Sequence, residues 1–99
     1  MGKQKIIWSQ KAKIKLFEIL EFYNNRNKSK RYSSKLYSKF NKELKTLFKQ
    51  PHLGIKTEIE NVRALIVDDY MIFYEKNDSL IIVHVLWDCR QNPNDLAIF

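Results

Sequence analysis

The chain has 99 residues, of which 44% are apolar and 29% charged, and carries a net charge of +7. That length buries about 65% of the unfolded surface, enough for one core. The composition excludes a disordered chain, and two glycines and two prolines exclude collagen-like or low-complexity sequence.

Along the chain, Lys5-Ile6-Ile7-Trp8 is short, β-branched and aromatic, and predicts a strand. Ser9 is a good N-cap for a helix starting near Gln10. Ala12, Leu16, Ile19, Leu20 and Tyr23 recur at helical spacing, and Asn24, Asn25 and Asn27 end the pattern. A second helix is expected over about 29–49, where Tyr32, Leu36, Tyr37, Phe40, Leu44, Leu47 and Phe48 repeat at three and four. Lys35, Lys39, Lys42 and Lys49 fall on another face, and Pro51 and Gly54 stop the helix. The short connection predicts an antiparallel helical hairpin. After an irregular stretch, 51–61, three strand-like runs follow: Val62 to Val67, Tyr70 to Glu75 and Leu80 to Trp87. Asp68-Asp69 and Asn77-Asp78 occupy the turns. Asn92-Pro93 suits the start of one final helical turn. The order β-α-α-β-β-β makes this an α+β fold, with a helical hairpin on a small, mainly antiparallel sheet, in one domain over residues 1–99.

Two-residue turns would set Val67 opposite Tyr70, Leu65 opposite Ile72, Arg63 opposite Tyr74, and Tyr74 opposite Ile81. One side of the sheet then carries Arg63, Tyr70, Tyr74 and Trp87. The other carries Met71, Phe73, Glu75, His84 and Asp88, with Arg90 if the strand runs on. A single bulge exchanges these sets.

The longest apolar run, Leu80 to Trp87 with His84 counted, is far short of the roughly 20 residues that span a bilayer, so no membrane association is expected. The first ten residues show no secretory signal, and Ile6 stands where myristoylation wants Ser or Thr. Cys89 is the one cysteine, so the reducing cytoplasm is the expected compartment. One Cys with His52 and His84 gives no zinc spacing, and two isolated glycines build no nucleotide loop. No metal, cofactor or small-molecule substrate is expected.

Charge is unevenly placed. Residues 1–56 hold 15 Lys and Arg against 3 Glu, a balance of +12, whereas residues 57–99 hold 3 against 8, a balance of −5. The basic half suits an anionic partner, nucleic acid or acidic protein, and otherwise serves solubility. Lys35, Lys39 and Lys42 are candidate contacts to such a partner, or the solvated face of an amphipathic helix. Arg63 and Arg90 stand in the acidic half. Each is either an ion-pair member, with Glu75, Asp69 or Asp88 available, or a cation for phosphate or carboxylate. His84 reads as a satisfied sheet histidine, or as an acid–base group if it faces an open groove. Cys89 reads as a small apolar filler at a strand end.

The runs Val62-Arg63-Ala64-Leu65-Ile66-Val67, Tyr70-Met71-Ile72-Phe73-Tyr74 and Ile82 to Pro93 resemble the RelE/ParE family of bacterial toxins, as do Ile7-Trp8-Ser9 and Pro51-His52-Leu53-Gly54. The resemblance covers nearly the whole chain. It implies a small cytoplasmic toxin of a type II toxin–antitoxin, or plasmid-stabilising, pair that inhibits growth until an acidic antitoxin neutralises it. The antitoxin's carboxylates would pair with Lys35, Lys39, Lys42 or Arg90. The family's targets are the ribosome with its mRNA, cut by ribosome-dependent endonucleases, and DNA gyrase, poisoned by the ParE branch. Arg63-x-Leu65, Tyr70-x-Ile72-Phe73-Tyr74 and Arg90-x-x-Pro93 look closer to the ParE side. The sheet arginine of the nuclease branches aligns with Leu65 or Ile66, and their C-terminal tyrosine has no counterpart in 94–99. For a ribonuclease, the candidates would be Arg63, His84 and Arg90. An inactive, nucleic-acid-binding relative is the third reading.

Overall fold

The computed structural model of the protein describes residues 3–96; residues 1, 2 and 97–99 of the expected domain lie outside them. The elements are β1 (Lys5–Trp8), α1 (Gln10–Asn27), α2 (Arg31–Thr46), β2 (Ile55–Lys56), β3 (Val62–Val67), β4 (Tyr70–Lys76), β5 (Leu80–Asp88) and a 3-10 turn, Pro93–Asp95. The α+β order expected from the sequence is present, with one addition: Ile55–Lys56 forms a short edge strand inside the stretch expected to be irregular.

The sheet runs β1-β5-β4-β3-β2, with β1 parallel to β5 and the other pairs antiparallel. One face takes both helices. Ala12, Leu16, Ile19 and Tyr23 of α1 and Leu36, Phe40 and Leu44 of α2 pack on Leu65, Val67, Tyr70, Ile72, Tyr74, Ile81, Val83 and Leu86. The other face carries a smaller cluster, Val62, Ala64, Phe73 and Val85, flanked by Ile59, Met71, Trp87 and Leu96.

Ser9 caps α1 as expected, its hydroxyl accepting from the Ala12 N–H at 3.1 Å and donating to the His84 carbonyl at 2.8 Å. That side chain therefore fixes the start of α1 to β5. Helix α1 runs through the asparagines to Asn27 and stops at Lys28, which takes the left-handed conformation, φ 54°. Helix α2 is shorter than the expected 29–49. It starts at Arg31, and an irregular turn replaces it after Thr46.

The β3–β4 register is the expected one, Val67 opposite Tyr70 and Arg63 opposite Tyr74. The β4–β5 register differs. Tyr74 lies opposite Val83, not Ile81, because the connecting loop is longer than two residues, and the register shifts between Phe73 and Tyr74. Phe73 faces Val85, which leaves His84 as the extra residue of a bulge. Beyond it every β5 side chain changes sides. Trp87 joins Met71 and Phe73 on the face away from the helices, while Asp88 comes opposite Tyr70 on the helical face. The expected placement of Trp87 with Tyr70, and of Asp88 and Arg90 with Met71, is corrected by that single inserted residue.

Candidate functional site

A polar cluster on the helical face joins three segments far apart in sequence: the end of α1, the start of β4 and the end of β5. Because the bulge turns Asp88 inward, Arg90 follows it. Arg90 Nε and Nη2 donate to the two Asp88 carboxylate oxygens at 3.0 and 2.9 Å. Nη2 also reaches the hydroxyls of Tyr70, at 3.3 Å, and Tyr23, at 3.5 Å. The guanidinium lies 5.8 Å from the Tyr70 ring centroid. Tyr70 donates to Tyr23 at 3.3 Å, and Tyr32 of α2 packs on the Tyr23 ring at 4.6 Å.

These contacts set the protonation of the group. Arg90 holds the Asp88 carboxyl below its usual value, and Asp88 in turn raises the guanidinium. The hydrogen bond from Tyr70, then Arg90, lowers the Tyr23 phenol, whereas burial raises Tyr70 and Tyr32. Chemically, the cluster offers a charge-compensated guanidinium beside two phenols of unequal acidity, and it contains no histidine.

Arg63 sits elsewhere. Its Nη1 donates to the Gly54 carbonyl at 2.8 Å. On the same face Tyr74 donates to the Pro51 carbonyl at 3.0 Å and accepts from the Gly54 N–H at 3.1 Å. The two side chains thus fasten the Pro51–Gly54 turn to the sheet beneath a groove of about 820 Å³, lined also by His52, Lys56, Glu60 and Glu75. Of the two readings open for Arg63, an ion pair or a cation for phosphate or carboxylate, the ion pair is not formed: Arg63 makes a backbone hydrogen bond here instead. His84 projects from the opposite sheet face, with Nε2 3.1 Å from Glu75 Oε1, which fits the satisfied sheet histidine read from the sequence. Cys89 is exposed, not an apolar filler, and its backbone N–H donates to the Asp69 carbonyl.

The three candidate nuclease residues are therefore not brought together. Arg63 lies opposite Tyr74, and Arg90 contacts Tyr70, four residues along β4, about 13 Å away; His84 is on the other face. Lys35, Lys39 and Lys42 are all exposed on α2. Lys39 is engaged by Asp68 of the β3–β4 turn at 2.6 Å.

Sequence reasoning singled out Arg90 and named Asp88 as a possible partner, but missed Tyr23, Tyr32 and Tyr70. Their apolar spacing marked them as core, and nothing in the order of residues signals hydroxyls that meet across 47 positions.

The sequence model of the ParE toxin of type II toxin–antitoxin systems, parDE, matches residues 6–93. No match was found among curated proteins. Among solved structures, the chain is similar to one from the "Chromosomal ParDE TA system from P. aeruginosa". The TM-score is 0.67 and the identity 17%, covering 84% of this chain and 92% of that one. At that identity the likeness shows the fold.

Proposed function

The chain belongs to the ParE toxin family of type II toxin–antitoxin systems, and on that premise we propose that it arrests growth by binding DNA gyrase, without cutting RNA, until an acidic antitoxin neutralises it. One observation carries the choice between targets: Arg63, His84 and Arg90 lie at three separate places, each already bonded within the fold. Cleavage at a 2′-hydroxyl needs a base and a cation within hydrogen-bond reach of one phosphate. An interaction toxin needs only surface.

A ribonuclease reading has one observation in its favour, the lowered Tyr23 phenol beside Arg90. The two readings part in cells induced to make the protein without antitoxin. Binding to gyrase predicts that DNA synthesis stops before translation and that purified protein inhibits gyrase supercoiling. Translation stopping first, with cleaved mRNA that disappears in Tyr23→Phe, would establish the nuclease instead. Unimpaired growth at verified soluble expression would remove both.

A further inference from the structure

We propose that the outer face of α2 docks on the phosphodiester backbone of duplex DNA. The buried side of this helix, Ser33, Leu36, Phe40 and Leu44, packs on the sheet and fixes which side looks outward. At 3.6 residues per turn, Arg31, Lys35, Lys39, Lys42 and Lys45 share that outward side, and all five are exposed. From first to last the stripe runs about 21 Å, with a cation every 4.5 to 6 Å. Lys39 is held by Asp68. Among the described residues no carboxylate lies within ion-pair distance of the other four. Glu43 is the one acidic residue of α2, and it is half-buried off the stripe.

Four of these five cations have no ion-pair partner among the described residues and no apolar side chain lies among them, which selects the occupant. An acidic protein segment that folds on binding has to bury apolar side chains to offset its ordering. Of the two exposed aromatic side chains of α2, Tyr37 lies off the stripe and Tyr32 packs on the Tyr23 ring; the other exposed apolar residues such a segment would need lie elsewhere, at Ile14, Phe17 and Phe22 of α1 and Ile55 and Ile66 of the sheet. A duplex needs no such anchors. It is stiff over many times the length of α2 and presents charge continuously, and its binding is driven by release of counterions. Such contact is independent of base sequence.

The test is fluorescence anisotropy of the intact chain with a 20-base-pair DNA duplex between 50 and 200 mM salt. Four phosphate contacts give a slope of log affinity on log salt near −3.6, an affinity loss of about 150-fold over that range. Replacing Lys35, Lys42 and Lys45 by Gln should leave a loss of about fourfold and much weaker binding at 50 mM. The same charge removed at exposed Lys5, Lys13 and Lys56 should leave the slope near its original value. Circular dichroism verifies that both triple variants are folded. An equal effect of the two triples would overturn the proposal in favour of general charge, as would unchanged binding by the stripe variant or no binding at 50 mM. A poly-glutamate peptide bound through the stripe more tightly than the duplex would replace it by a protein partner. A stripe-dependent preference for duplex RNA over DNA would overturn the choice of DNA.

Discussion

Tyr74 is 1% exposed and spends its hydroxyl on both the Pro51 carbonyl and the Gly54 N–H. A Cβ built on Gly54 would lie 2.5 Å from that hydroxyl and 2.7 Å from the ring, so only glycine lets the turn approach so closely. Gly54→Ala should cost about 1–3 kcal/mol in urea unfolding. Tyr74→Phe removes the nearest atom, so the double variant should cost less than the sum of the singles. Additive losses would show that the hydroxyl is not what excludes the Cβ. At the other end of β4, Asp88 governs an acid response. Its folded pKa is depressed by Arg90 below the ordinary 3.8. A depressed carboxyl stabilises above its unfolded value, and that contribution fades as pH falls through the folded value. Asp88→Asn should therefore melt below the wild type at pH 7, with the gap closing only beneath about pH 4. A gap that persisted undiminished at pH 2 would show that packing, not charge, holds Arg90.

At the scale of elements, the junction between α1 and α2 depends on Lys28 in the left-handed region and on buried Ser33, whose hydroxyl has the Asn24 side-chain oxygen and the Lys30 carbonyl as acceptors within reach of its one proton. A lysine there carries a backbone cost that glycine does not. Lys28→Gly is expected to stabilise by about 0.5–1 kcal/mol, and Lys13→Gly, inside α1, to destabilise by a similar amount, both from chemical denaturation. The hairpin, the strands and the Ser9 cap could be read from the sequence because each rests on local spacing. The β4–β5 pairing could not. The Asn77-Asp78 loop leaves several lengths open, and no residue type announces a bulge at His84. That one insertion decides whether Asp88 faces Tyr70 or Met71, so the constellation around Arg90 was hidden by the same ambiguity. The lysines of α2 were legible, because helical spacing alone places them opposite Leu36, Phe40 and Leu44.

For the whole molecule the deciding quantity is the split of charge, +12 before residue 57 and −5 after it. The radius of gyration is 13.7 Å. If the antitoxin is acidic, as proposed, a Debye length of roughly 30 Å at 0.01 M salt would let it sense the entire basic half on approach, whereas about 8 Å at 0.15 M would restrict it to the nearest side chains. Association should therefore slow by tenfold or more, on the order expected for electrostatic steering, between those salts in stopped-flow mixing. The location of the contact shows in the other rate constant. If the antitoxin is anchored at the exposed apolar positions of α1 and the sheet, replacing Lys35, Lys42 and Lys45 by Gln lowers the association rate at low salt and leaves dissociation unchanged, because steering acts before contact and anchoring after it. Faster dissociation in that variant would mean that antitoxin carboxylates rest on α2 itself. An association rate indifferent to salt would remove the electrostatic role of the basic half while leaving the family assignment intact.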